Sequence, residues 1–349
     1  MRFQLFRIIA SVAKQSTVST IDSQATLIFN WCINTMSLSL LNLTCHCRWT
    51  STARLPDYAG STLRGAFGWA LKRCSCMLKS QECPDCILRG NCPYAFLFAT
   101  ERYENTGNSV NARPHPLVIQ PGEDCEGDGR EGAAFSFSFL LIGRASDFTP
   151  HIVHSINLMG KAGIGAWTKR GGGRFALETV TDGERAVFDA ATGLLDQPTA
   201  REISVEAPTN GATTEARTKR IGIRLITPLR LKQENKLRAD LPFSTLIRAV
   251  LRRVAALENA YGPGEPALDY AGLIQGAKSV RLVESSLRWR ELQRYSKRQE
   301  QHVSLSGLMG EAVYEGDLTE FMPLLRYASQ VNIGKQSLFG LGKITFEEL

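Results

Sequence analysis

An α+β chain built twice over is the fold class this sequence predicts, on three observations. Short stretches alternate apolar and polar residues with the period of a half-buried strand; Leu41-Asn42-Leu43-Thr44-Cys45-His46-Cys47-Arg48-Trp49 and Phe135-Ser136-Phe137-Ser138-Phe139 are the clearest. Stretches of helical pattern at 60–72, 148–159 and 242–261 separate them. The order strand, helix, strand, strand, helix, strand runs once between 41 and 180 and again between 221 and 346.

In the first half, the strand 41–49 has one apolar and one polar face, and His46 and Arg48 share the polar one. A turn at Leu55-Pro56-Asp57 leads into the helix 60–72. Strands follow at 116–121 and 134–144, then a helix at 148–159 starting near Thr149-Pro150, then a strand at 175–180. A looser stretch, 183–216, is rich in Ala, Thr, Asp and Gly and reads as a linker containing a hairpin. After it the order recurs: strand 221–231, helix 242–261, strands 279–289 and 302–314 joined by a basic connection, helix 319–328 and a last strand 343–346. A βαββαβ unit is ferredoxin-like (RRM-like). The predicted architecture is therefore tandem ferredoxin-like domains, 36–182 and 217–349, with a cysteine-rich loop insertion in the first.

With 349 residues, 43% of them hydrophobic, the chain can bury two cores of ordinary domain size. Its 41 Lys and Arg against 34 Asp and Glu leave a formal charge of +7, which favours a polyanionic partner. The excess is concentrated: between Arg217 and His302 stand 18 basic and 8 acidic side chains, a local +10 that exceeds the charge of the whole chain. No apolar run reaches the length of a membrane span. Residues 1–35 carry Arg2, Arg7 and Lys14 against the single acid Asp22. Because a strand begins just after Met36, this stretch reads as a loosely attached extension, or as Met1 chosen as start in place of Met36, and not as a targeting segment.

Five of the nine cysteines (Cys74, Cys76, Cys83, Cys86, Cys92) fall within nineteen residues. Cys83-Pro84-Asp85-Cys86 is a C-x-x-C pair, and with Cys92 and Cys74 or Cys76 it offers four thiolates to one tetrahedral ion. Structural zinc on Cys74, Cys83, Cys86 and Cys92 is the expected group; an iron–sulfur cluster and unligated thiols are the alternatives. A reducing cytoplasm suits such thiols better than a disulfide scaffold. With all four positions filled by protein, a metal here would staple a loop and not catalyse.

Two glycine-rich passages occupy matching places. Gly334-Lys335-Gln336-Ser337-Leu338-Phe339-Gly340-Leu341-Gly342-Lys343 lies between the last helix and the last strand, and 160–174 holds the corresponding position in the first half. Glycines let the main chain approach a phosphodiester and aim N–H groups at it, while lysines supply charge. Gly334, Lys335, Gly340, Gly342 and Lys343 are accordingly expected to bind a nucleic-acid backbone. A nucleotide-binding loop has a strand before it and a helix after it, the reverse of this order, which argues against P-loop and dinucleotide sites. Cations interleave with aromatics at Arg288, Trp289, Arg290, Arg294, Tyr295, Lys297 and Arg298, with His302 beyond them, a pattern suited to backbone contacts and base stacking. Arg248 and Arg252 add two cations on one face of the helix 242–261.

Taken in order, five segments make the chain resemble the CRISPR-associated RAMP superfamily: GSTLRGAFGWALKR at 60–73, CPDCILRGNCPYAFLF at 83–98, TPLRLK at 227–232, RYSKRQ at 294–299 and FGLGKI at 339–344. More narrowly, it resembles the endoribonucleases that process precursor CRISPR RNA, and the likeness runs from Leu38 to the end. The resemblance implies paired ferredoxin-like domains, a C-terminal glycine-rich loop that touches RNA, and cleavage without a catalytic cofactor. It also implies a repeat-hairpin RNA partner, other CRISPR effector subunits as further partners, and a prokaryotic cytoplasm. The implied reaction is in-line attack of a ribose 2′-OH on the adjacent phosphate, leaving 2′,3′-cyclic phosphate and 5′-OH ends; it needs a base, an acid and cations. Members carry a histidine on the first helix or a tyrosine before it. Here the helix 60–73 has no histidine, Tyr58 stands at the matching junction, Arg64 lies on the helix, and His46 is the base candidate. A non-catalytic RAMP subunit that holds guide RNA is the competing expectation.

Overall fold

The computed structural model describes residues 37–79, 81–100, 113–205, 219–231, 240–296 and 301–349. The predicted extension at 1–35, the choice between Met1 and Met36, and Lys297 and Arg298 lie outside these residues.

The first half contributes β1 (Leu38–Trp49), β2 (Ala53–Arg54), α1 (Gly60–Ser75), α2 (Pro93–Phe98), β3 (Leu117–Pro121), β4 (Asp128–Gly129), β5 (Ala134–Ile142), α3 (Thr149–Ala162), β6 (Phe175–Asp182), β7 (Arg185–Asp189) and β8 (Arg201–Ile203). Its main sheet runs β3-β5-β1-β6-β7, antiparallel throughout, so the strands of the βαββαβ unit stand in the ferredoxin-like order second, third, first, fourth. The alternation read in β1 holds: Leu41, Leu43, Cys45, Cys47 and Trp49 face a core shared with Leu63 and Phe67 of α1 and Ile152, Ile156 and Met159 of α3. In α1 the buried Leu63, Phe67, Ala70 and Leu71 form the i, i+4, i+7, i+8 stripe of an amphipathic helix.

The second half contributes β9 (Arg220–Leu229), α4 (Phe243–Tyr261), α5 (Tyr270–Gly276), β10 (Arg281–Ser285), β11 (Arg288–Arg290), β12 (Gln293–Ser296), β13 (Gln301–Ser304), β14 (Gly307–Glu315), α6 (Met322–Ala328) and β15 (Ile344–Glu348). The order β10-β14-β9-β15 repeats that of the first sheet. The predicted strand 279–289 is divided because β14 bulges at Gly310, where a side chain would meet the Ser286 carbonyl oxygen at 2.5 Å; β10 pairs with β14 on one side of the bulge and β11 on the other. The predicted strand 302–314 is divided as well. Leu305 N–H donates to the Leu292 carbonyl at 2.8 Å and closes β12 and β13 into a hairpin of their own. The short α5 escaped sequence reading: it has seven residues, two of them glycine, held at the start by the Asp269 carboxylate, which accepts the Gly272 N–H at 2.9 Å.

The stretch expected to link the halves is, as far as Ile203, part of the first sheet. β7 extends the sheet beyond β6, and β8 pairs with Leu38, Ser39 and Leu40, the part of β1 that β6 leaves uncovered. The halves also share a seam. Leu38, Leu40, Val118, Leu140, Ile142 and Ile203 of the first half pack into the core of the second with Leu246 and Val250 of α4. β1 thus serves two cores, one on each face.

The glycine passages close both halves in the same way. Ile164 N–H donates to the Gly173 carbonyl at 2.8 Å, and Ile333 N–H to the Gly342 carbonyl at 2.8 Å. A Cβ on Gly173 would stand 1.9 Å from the Ile164 carbonyl oxygen, and one on Gly342 would stand 1.8 Å from that of Ile333; both glycines have left-handed backbone, at φ +72° and +78°. Gly342→Ala is therefore expected to cost about 3 kcal/mol or more of unfolding free energy, combining strain and displaced backbone. Gly65→Ala, in the exposed middle of α1 with nothing within 4 Å, should instead stabilise by about 1 kcal/mol. Denaturant unfolding of the two variants checks this, and a Gly342→Ala protein as stable as its parent would contradict the packing described.

Candidate functional site

The turn that precedes β15 is fixed by buried polar groups. Thr227 Oγ1 donates to the Gly340 carbonyl at 2.8 Å, and Asn332 Nδ2 donates to the Gly340 and Leu341 carbonyls at 3.1 Å each. The Lys335 N–H donates to the Arg230 carbonyl at 3.0 Å, and the Gly342 N–H to that of Pro228 at 3.1 Å. Gly340 and Gly342 are buried, and their missing side chains make room for protein: a Cβ on Gly340 would meet the Ile119 carbonyl oxygen at 2.7 Å. This corrects the expectation that these two glycines approach a phosphodiester. The main chain they approach is the protein's own. Gly334 plays a similar part against the Arg230 carbonyl, at 2.8 Å. Of the two lysines, Lys335 is exposed, while Lys343 is half-buried and its ammonium is held below the usual lysine range by burial.

This turn docks on the start of α1. The Tyr58 hydroxyl donates to the Phe339 carbonyl at 2.7 Å, and a Cβ on Gly60 would stand 2.1 Å from that oxygen. Burial pushes the Tyr58 phenol well above the usual range; the Arg290 guanidinium pulls it the other way, by less. Tyr58 is therefore protonated at neutral pH, with its proton committed to a carbonyl.

Three cations gather around the same turn. The Arg294 guanidinium lies 4.9 Å from the centre of the Phe339 ring, and that of Arg64 lies 5.8 Å from it. Arg290 ends β11, close enough to Tyr58 to influence its phenol. Among the described residues Arg290 and Arg294 have no ion pair, whereas Arg224 is joined to Glu311 at 2.7 Å and Arg281 to Glu315 at 3.1 Å. Within the basic segment, Arg224 and Arg281 are thus matched by carboxylates on the second sheet. His302 stands opposite Tyr295 in the β12-β13 register, beside the pair Arg294 and Val303.

The other predicted residues lie elsewhere. His46 is exposed on the face of β1 opposite α1, its Nε2 at 3.4 Å from Thr181 Oγ1, so it does not join Tyr58 and Arg64. Its neighbour Arg48 is paired with Glu178 at 2.6 Å. Period two explains the separation: the residues flanking His46, Cys45 and Cys47, point into the core beneath α1. Arg248 and Arg252 are exposed on the outer face of α4. The cysteine loop does not match the expected metal geometry. Cys74 ends α1, Cys83 and Cys86 flank one 3₁₀ turn, and Cys92 precedes α2. No three His, Cys, Asp or Glu side chains among the described residues are grouped to hold an ion. Cys74, Cys83, Cys86 and Cys92 are half-buried and form no disulfide among the described residues.

Sequence reading missed the aromatics that connect these parts. Arg64 also lies 4.9 Å over the ring of Phe98, which stacks on Tyr94 at 5.7 Å, and Lys72 stands 5.7 Å over Tyr94. Arg64, Gly68 and Lys72, four apart on α1, make the row that faces α2. The spacing of Arg64 and Lys72 was available as a signal, as was Phe339 inside the glycine segment.

Comparison with known proteins agrees with the fold. A family model described as an N-terminal domain matches residues 38–200, and the model of the CRISPR-associated endoribonuclease Cas6 matches residues 223–344. A protein of Archaeoglobus fulgidus described as uncharacterized is 27% identical over 297 residues, 82% of this chain and 91% of that protein. A Cas6 of Thermus thermophilus shares the fold with a TM-score of 0.50 at 13% identity, over 89% of this chain and 99% of that one. A chain of the partial Cas6-RT-Cas1–Cas2 complex gives 0.52 at 14% identity over 90% of this chain, which spans 47% of that longer chain. The Cas6 family model thus matches the second half of the chain, and the chain as a whole shares the paired ferredoxin-like fold of these solved Cas6 proteins.

Proposed function

We propose that this protein binds the repeat hairpin of precursor CRISPR RNA in a prokaryotic cytoplasm and cuts it without a catalytic metal, keeping the guide RNA for other effector subunits. The observation that carries the reading is the gathering of Arg64, Arg290 and Arg294 at the turn that joins the two halves. In the reaction the 2′-oxygen forms a bond to phosphorus and the bond from phosphorus to the 5′-oxygen breaks. The 2′-OH proton passes to a base, the leaving oxygen takes a proton from an acid, and the phosphorane carries extra negative charge between these events. The arginines answer that charge from positions already assembled around the turn.

Tyr58 holds the turn: burial raises its pKa and its hydroxyl donates to the Phe339 carbonyl, so it is protonated at neutral pH. His302, first read as a binding residue, is the acid or base candidate because its strand pairs with the one that carries Arg294. The 2′-OH is the substrate's own nucleophile, so no metal-bound water is called for. A second reading, a non-catalytic guide-holding subunit, is favoured by one observation: His46 lies across the sheet from Tyr58 and Arg64.

Repeat RNA incubated with the purified protein in EDTA is expected to yield a 2′,3′-cyclic phosphate end, and a 2′-deoxy nucleotide at the scissile position should block the cut. Tight binding with no cut under any condition selects the second reading; a cut that vanishes with EDTA sinks the mechanism. Among variants, Arg64→Ala, Arg294→Ala and His302→Ala should each slow single-turnover cleavage by about 100-fold or more. His46→Ala should cleave at the parent rate; a comparable loss there would return the active site to the open face of the first sheet.

A further inference from the structure

We propose that the outer face of α1 is a stacking site for an unpaired nucleobase of the RNA, with Trp69 as its platform and Arg73 and Lys72 beside it for the phosphates. The inference rests on the RNA partner proposed above and adds a second contact, outside the turn where the halves meet.

Trp69 stands where a helix rarely keeps a tryptophan. It is 49% exposed, whereas Trp49 is in the core and Trp167 and Trp289 are half-buried. On a helix the neighbours of a side chain lie three and four residues away, and here they are Gly65, Ala66, Lys72 and Arg73. Gly65 presents no side chain, and nothing lies within 4 Å of where its Cβ would stand. The surface one turn before Trp69 is therefore bare backbone. One turn after it, the Arg73 guanidinium lies 5.6 Å from the centre of the indole ring, within the range of a cation–π contact. Both local choices are unfavourable for the free chain: a glycine in an exposed helix interior lowers helix stability, and an exposed indole forgoes burial. A flat ligand laid on that face would put both to use.

Charge selects the ligand. None of the 16 residues of α1 is an aspartate or glutamate. Among the described residues Lys72 and Arg73 have aromatic partners, Tyr94 at 5.7 Å and Trp69 at 5.6 Å, and no ion pair. A ring leaves a cation its charge and its outward N–H groups, so both remain available to a phosphate. A protein partner would be met by further apolar side chains three and four residues from Trp69, and α1 offers a glycine, a packed alanine and two cations there. An aromatic face set among cations without carboxylates is the arrangement that holds single-stranded RNA, because every base has a π-face and every nucleotide a phosphate. The site is also within reach of the turn. α1 begins at Gly60, against the Phe339 carbonyl, and Trp69 follows about 13 Å along the axis at the helical rise per residue. An unpaired stretch of RNA that leaves the turn along α1 meets the indole.

Titration of the full-length protein with a single-stranded oligouridylate and, separately, with repeat RNA tests this. Oligouridylate should quench the tryptophan fluorescence of the parent, and Trp69→Phe, which keeps an aromatic face, should lose most of the quench while holding affinity within about threefold. Trp69→Ala, at an exposed position, should bind both RNAs about tenfold more weakly. Gly65→Leu gives the readout that a structural role would not move: it should raise the unfolding midpoint and still weaken RNA binding about tenfold, because its side chain covers the bare turn. Arg73→Ala should lower the dependence of log affinity on log salt by about 0.7, one phosphate contact on a single strand. A parent with no quench overturns the proposal, as does a quench undiminished in Trp69→Phe, or Trp69→Ala or Gly65→Leu protein of parental affinity. Loss of self-association by Trp69→Ala in sedimentation, at unchanged RNA affinity, gives the face to a second copy and overturns it too. A parent quenched by oligouridylate but indifferent to repeat RNA contradicts the repeat-processing reading and leaves the stacking site standing.

Discussion

The hydrogen bond from Tyr58 to the Phe339 carbonyl, closed in by Gly60 on one side and Gly340 on the other, fixes where the two ferredoxin-like halves meet. A side chain at either glycine would collide with backbone, at 2.1 Å and 2.7 Å. The contact can therefore exist only with both glycines present. Through it, Arg64 on the first helix of one half comes beside Arg294 on a hairpin of the other, although 230 positions separate them in the chain. The seam of Leu38, Leu40, Val118 and Ile142 with α4 supplies the broad apolar contact, and the turn supplies the register within it.

The repeated fold makes the origin of this contact intelligible. Each half closes its last connection by the same hydrogen bond, from an isoleucine N–H to a glycine carbonyl nine residues on, with a left-handed glycine at its end. In the first half that passage packs against its own β2, where a Cβ on Gly165 would meet the Arg54 carbonyl at 2.3 Å. In the second half it reaches across to the partner domain. One structural device thus serves closure in one place and closure plus assembly in the other, and only the second brings cations from two halves together.

Much of this was legible from residues alone. Alternation in β1 and β5 and the apolar stripes of α1 and α4 gave the strand and helix order, since burial on one face leaves that period in the sequence. Short elements interrupted by bulges were not legible: nothing local distinguishes β10 from β11, because the break is imposed by Gly310 on a neighbouring strand. The glycines of the C-terminal segment were rightly picked out as places of close approach, but a sequence cannot say what approaches. His46 was placed on a polar strand face correctly, and its distance from the first helix followed only once the sheet separated the two. The aromatic of the segment, Phe339, passed unnoticed beside glycines and lysines with more familiar chemistry.

Electrostatics gives the site its character. Arg224 and Arg281 of the second sheet are matched by glutamates, while Arg64 and Arg294 at the turn meet aromatic faces. Burial on the protein side lowers the affinity of Arg294 for its proton. The most direct measurement is a crystal structure with repeat RNA that carries a 2′-deoxy nucleotide at the scissile position. The account predicts the scissile phosphate at the inter-half turn, in contact with the Arg64 and Arg294 guanidiniums. A phosphate lying instead on the open face of the first sheet, beside His46, would contradict it.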